Sequence, residues 1–116
     1  VQVAERAERP DEVAPTIEKA LAISPEDPTI QDSMGWVKYR DWDYHTALEY
    51  LQRAYASYPD AEIAAHLGEV LWQLGQQDEA KKVWREGLQR DADHQVLLNT
   101  IERFDINGEL LNQATP

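Results

Sequence analysis

Met34-Gly35-Trp36-Val37-Lys38-Tyr39-Arg40 and Leu67-Gly68-Glu69-Val70-Leu71-Trp72-Gln73 decide the fold of this chain, because each opens a stretch that the other repeats. Gly35 answers to Gly68, Ala47 to Ala80, Leu51 to Trp84 and Ala54 to Gly87. Every one of these pairs is 33 residues apart. A third copy lies upstream, where Ile17, Ala20 and Pro25 stand 34 residues before Leu51, Ala54 and Pro59. Small residues align with small and large with large at a nearly fixed step. That is the signature of repeated helix pairs, none of which can bury its apolar stripe alone.

The residue types fit such a layout. Small residues suit places where two helices approach closely, and Leu51, Trp84 and Ile17 suit the spaces between units. Asp27-Pro28 offers an N-cap followed by proline at the first helical position. Pro59-Asp60 ends one helix and caps the next. Gly75 suits the left-handed position after a helix, and Asp78-Glu79 favours the following N-terminus through the helix dipole. Helices are therefore expected over 11–23, 27–40, 43–58, 60–74, 77–90 and 94–104, with 1–9 as the end of a truncated helix. The Asn107-Gly108 turn opens a tail. The unit boundaries that follow are 1–26, 27–59, 60–92, a closing helix over 93–104 and a tail over 105–116.

Composition agrees with an all-α reading and excludes several functions. Hydrophobic residues make up 42% of the 116, enough for a folded core, and glycine and proline are sparse. Alanine, leucine, glutamate, glutamine and arginine, the good helix formers, dominate. The net charge of −11 repels phosphate backbones and anionic lipid, which sets aside nucleic acid and the membrane surface as partners. No apolar run approaches a membrane span. The absence of cysteine removes disulfide and thiolate chemistry and leaves the compartment open. His45, His66 and His94 share no metal-ligand spacing, so neither a metal nor a cofactor is expected. Asp41/Asp43 and Asp91/Asp93 fall at helix ends, where caps belong. With no phosphate loop or nucleophile elbow, an enzyme has no footing. The chain opens at Val1 inside a helical pattern, so it reads as a piece of a longer protein.

On these residues the chain resembles the tetratricopeptide repeat (TPR) family, whose pattern is roughly W-x2-L-G-x2-Y, A-x3-F-x2-A and P. One unit reads Gln31, Met34-Gly35, Lys38, Ala47, Leu51, Ala54 and Pro59. The next reads Ala64, Leu67-Gly68, Leu71, Ala80, Trp84, Gly87 and Ala92. Gln31 and Lys38 stand where the family is apolar, Trp42 where glycine usually ends the first helix, and Ala92 in place of proline. The resemblance implies a right-handed superhelical array of antiparallel helix pairs with a closing C-terminal helix.

It also implies a concave groove lined by the first helices. Carried over by position, the groove takes Thr29, Asp32, Ser33, Trp36, Tyr39 and Arg40 from one unit. The next supplies Glu62, Ala65, His66, Glu69, Trp72 and Gln73, and the closing helix adds Asn99 and Arg103. Asp32, Trp36 and Tyr39 are spaced four and three apart, as are Ala65, Glu69 and Trp72, so each set forms one helical stripe. The aromatics among them read either as binding anchors or as core. The places where a family member would clamp a terminal carboxylate hold Asp32, Trp36, Ala65 and Glu69, which do not suit that ligand.

The expected function is a scaffold that binds a protein or peptide carrying basic and apolar residues. The alternative is a structural segment that caps a longer array. The strings Asp32–Arg40 and Ala64–Trp72 also resemble the C-terminal repeats of bacterial outer-membrane-associated TPR lipoproteins. That narrower resemblance implies a periplasmic adaptor, for example for a carboxyl-terminal processing protease. Without it, the cytoplasm is the expected compartment. The apolar side of 11–23 (Val13, Ile17, Ala20, Leu21) has lost its cover and is expected to self-associate at high concentration.

Overall fold

The computed structural model describes residues 10–104, with side chains from Thr16 onward. It contains α1 (Pro10–Ile23), α2 (Pro28–Arg40), α3 (Tyr44–Ser57), α4 (Ala61–Gln73), α5 (Gln77–Arg90) and α6 (Gln95–Phe104). No strand occurs among the described residues. Each helix end lies within one residue of its expected place. The helix expected over 1–9, the tail with Asn107-Gly108, and the side chain of Val13 lie outside the described residues. The chain divides into two compact units, one up to Ser57 and one from Tyr58.

In the first unit α2 packs against both α1 and α3. Asp27 holds an extended backbone, and its carboxylate accepts the Thr29 N–H at 2.9 Å, with Pro28 opening the helix. Gln31, a polar residue at an apolar place in the pattern, is only 5% exposed. Its Nε2 donates to the Pro25 carbonyl at 2.8 Å, which ties α2 to the turn that precedes it. At Gly35 a Cβ would meet Leu51 Cγ at 2.7 Å, so the absence of a side chain sets the approach of α2 to α3. Met34, Ala47, Leu51 and Ala54 are buried around that contact.

The second unit repeats this logic with larger parts. Asp60 caps α4 by accepting the Glu62 N–H at 3.1 Å. Opposite Gly68 stands Trp84 of α5, fully buried. A Cβ at Gly68 would fall within the indole, 2.5 Å from Cε2 and 2.6 Å from Cδ1. At Gly87 a Cβ would meet Leu97 Cδ2 at 2.8 Å and Ala64 Cβ at 3.0 Å, so this glycine lets α5 lie close to both α4 and α6. Leu97, Thr100 and Ile101 bury one stripe of α6.

The α2–α3 turn of the first unit and the α4–α5 turn of the second are built in the same way. In the second, Gly75 has φ +83°, its N–H donates to the Trp72 carbonyl at 3.0 Å, and the Gln76 N–H reaches Leu71 at 2.9 Å. In the first, Trp42 has φ +66°, its N–H donates to Tyr39 at 3.0 Å, and the Asp43 N–H reaches Lys38 at 2.9 Å. This pair of bonds is the Schellman motif, which uses a left-handed residue to satisfy the last helical carbonyls. Glycine adopts that conformation freely, whereas a side chain brings a cost of about 1–2 kcal/mol. Trp42 is 80% exposed and gains little burial in return. Trp42→Gly is therefore expected to raise stability by about 1 kcal/mol, seen as a higher urea midpoint at unchanged slope. A lower midpoint would mean that the indole contributes more than its exposure implies.

Candidate functional site

On α2, Trp36 and Tyr39 stack at 4.9 Å between ring centroids, three residues apart on one face. Both rings are half-buried. Tyr44, at the start of α3, continues the run at 5.2 Å from Tyr39, and Trp42 stands 6.2 Å from Tyr44. Asp32, one turn before Trp36, is buried, while Arg40 at the helix end is exposed. Thr29 is exposed, and its carbonyl accepts from Ser33 Oγ at 3.0 Å. Asp32, Trp36, Tyr39 and Arg40 all make further interactions, so this face is held in place.

The second unit brings its candidate residues together differently. Glu69 of α4 is 5% exposed, and its Oε1 accepts from Arg103 Nη2 of α6 at 2.6 Å. Trp72 packs on Trp84 at 5.7 Å and on Phe104 at 5.7 Å, and Trp84 and Phe104 stack at 5.9 Å. Two cations border the cluster, with Lys81 Nζ 6.0 Å from the Trp72 centroid and Arg103 Cζ 5.1 Å from that of Phe104. His66 is half-buried and also engaged, Ala65 is buried, and Glu62 and Gln73 are exposed. Asn99 is exposed and accepts from Gln95 Nε2 at 2.8 Å.

Trp72 is thus half-buried and joined to Trp84, the largest fully buried side chain of the unit. Tyr44 and Phe104 were not among the expected site residues. Leu97, Ile101 and Phe104 are spaced four and three apart, and that stripe is the signal that points to Phe104. No comparable period marks Tyr44.

The Glu69–Arg103 pair leads to a definite expectation. A charge-assisted bond to a nearly buried carboxylate contributes more than an exposed pair, although the Arg103 side chain is itself 56% exposed. Arg103→Ala should cost about 2 kcal/mol in a urea titration. Arg103→Lys should recover only part of this, because an ammonium lacks the planar fork. A loss too small to measure for Arg103→Ala would show that the other interactions of Glu69 suffice.

Helix pairs of repeated spacing, glycine-mediated contacts and matching turns define a helical-repeat protein. Residues 61–94 match the family model described as the tetratricopeptide repeat. Over 67 residues, 58% of the chain, it is 48% identical to the TPR repeat-containing protein PA4667 of Pseudomonas aeruginosa strain PAO1. That match spans only 11% of the relative's length. Among solved structures, the Sgt2 TPR domain from Aspergillus fumigatus superposes with a TM-score of 0.79 at 17% identity. It covers 99% of this chain and 79% of that one. The structure described as MamA MSR-1 C2 gives 0.66 at 19% identity, over 96% and 67% of the two chains. Residues 61–94 are thus a tetratricopeptide repeat, and the fold is that of tetratricopeptide repeat domains. No helix among the described residues is long and apolar enough to cross a membrane.

Proposed function

We propose that the chain binds a partner protein through the face of α2 that carries Asp32, Trp36, Tyr39 and Arg40. The corresponding face of α4 (His66, Glu69, Trp72, Gln73) and the residues Asn99 and Arg103 of α6 form a second contact surface. The tetratricopeptide fold is a scaffold for protein–protein interaction, and the observation that carries this reading is the half-exposed Trp36–Tyr39 stack. Stacked aromatics that reach solvent supply large contact area at low entropic cost, which is why such residues dominate binding energy. The net charge of −11 suits a partner segment with an apolar anchor beside lysine or arginine.

A second reading is favoured by one observation. Glu69 and Arg103 bind each other, and Trp72 lies against Phe104, so α6 covers part of the α4 face. In this reading the second unit serves as the structural cap of a longer array. The two readings separate in one binding series with the full-length parent and its partner. Under the first, Trp36→Ala and Trp72→Ala each weaken binding by about 2 kcal/mol, and Gln52→Ala and Lys82→Ala leave it unchanged. Under the second, Trp72→Ala lowers stability and leaves the affinity of the folded fraction intact.

For the parent we further propose a periplasmic, outer-membrane-associated adaptor, with a carboxyl-terminal processing protease as the candidate partner. The support is the resemblance of Asp32–Arg40 and Ala64–Trp72 to repeats of that kind and the identity to a bacterial repeat protein. Cell fractionation of the parent tests the compartment. Co-purification with the protease, lost in the Trp36→Ala variant, tests the partner.

A further inference from the structure

We infer that the turn between α2 and α3 is a docking point in its own right, and that it takes an arginine side chain of a partner protein, stacked on Trp42 between Asp41 and Asp43. Trp42 is the most exposed of the four tryptophans, at 80%, and its backbone lies in the left-handed region. The equivalent turn of the second unit closes with Gly75 and the same two backbone bonds, so the turn requires no side chain there. What tryptophan adds is a flat π face. The N–H groups of Trp42 and Asp43 are both bonded to helical carbonyls, which fixes the backbone from which the indole and the following acid project. Tyr44 lies 6.2 Å from the indole and Tyr39 lies beyond it, so the ring is the outer end of an aromatic run.

The chemistry selects the occupant. An exposed indole face attracts a cation, and the exposed carboxylates of Asp41 and Asp43 flank it in sequence. Asp43 uses one oxygen to accept the Thr46 N–H at 3.3 Å and has a second available. A guanidinium can lie flat on the indole and bond a carboxylate in its own plane at the same time, which an ammonium cannot. The overall charge of −11 favours a cationic protein segment over a nucleic acid or an anionic membrane. Lys38 and Arg40 on the last turn of α2 offset the two acids, so stacking geometry rather than bulk charge sets the preference.

The test uses the whole chain, with acetyl-Gly-Arg-Gly-amide as probe and the four indole N–H signals in a nitrogen–proton correlation spectrum as readout. The Trp42 signal, assigned by its absence from Trp42→Gly, should move and saturate in the millimolar range. The lysine peptide should bind about threefold more weakly, and the neutral citrulline peptide should produce no shift. In Asp41→Asn/Asp43→Asn the affinity should fall by about fivefold or more. Trp42→Gly should keep its helical circular dichroism and its other three indole signals. An unmoved Trp42 signal, an equal response to citrulline, or full affinity in the double asparagine variant would overturn the assignment. A peptide that moves the other indoles and not Trp42 would place docking on the helix faces and overturn it as well. So would a Trp42 signal that moves with chain concentration and ignores the peptide, which would assign the turn to a second copy of the chain.

Discussion

Replacing Trp84 with alanine is expected to remove about 4 kcal/mol from the stability of the second unit. The indole is wholly buried, stacks on Trp72 and Phe104, and donates its Nε1–H to the Ala65 carbonyl at 3.4 Å. Truncation loses the transfer energy of the largest core side chain and leaves a cavity lined by aromatic rings that cannot collapse around it. The effect should also spread, because Phe104 and Trp72 each lose a stacking neighbour. Urea unfolding followed by circular dichroism gives the magnitude, and near-ultraviolet ellipticity should fall even where the helices persist. A loss under about 1 kcal/mol would mean that the cluster repacks freely around the space left by the indole.

Gly68→Ala is expected to be nearly as damaging, although it adds only a methyl group to a helix that would otherwise gain from alanine. The helical preference is worth about 1 kcal/mol in favour of the change. Against it stands a Cβ that would lie 2.5 Å from Trp84 Cε2, inside a ring with no room to turn away. α4 and α5 would have to separate, and a net loss of about 2–3 kcal/mol is expected. The same change at Gly35 should be milder, because its nearest obstacle is the branched end of Leu51. Combining Gly68→Ala with Trp84→Leu should recover about 1–3 kcal/mol relative to the sum of the single changes. If the two changes simply add, the glycine and the tryptophan are not coupled, and the explanation for this contact fails.

These contacts show what the sequence could tell and why. The 33-residue offset already paired Gly35 with Gly68 and Leu51 with Trp84, and within each unit the glycine faces the large side chain, Gly35 against Leu51 and Gly68 against Trp84. Asp27-Pro28 and Asp60 marked helix starts because capping is local chemistry, complete within a few residues. Long-range partnerships carry no such mark. Glu69 and Arg103 are 34 residues apart in sequence, and no period in either helix announces that one neutralises the other. Gln31 looked like a departure from an apolar pattern, because its bond to the Pro25 carbonyl depends on a turn that only the folded chain defines. The aromatics of the candidate faces could be read as groove or as core. The structure gives an intermediate answer, with Trp36, Tyr39 and Trp72 all half-buried. Trp42 shows a different limit. It stands where glycine usually ends the first helix, yet the backbone keeps the left-handed geometry and carries the strain.

Within each unit every helix packs on a helix next to it or next but one in the chain. Closing such contacts requires only short loops, and proteins built this way fold in microseconds to milliseconds. A ribosome adds about 5–20 residues per second, so translation of the segment from Ala61 to Phe104 takes on the order of seconds. The hairpin of α2 and α3 therefore has ample time to close before α4 has left the exit tunnel. Assembly can proceed in the order of synthesis, and each apolar stripe waits only for the helix or two that follow it.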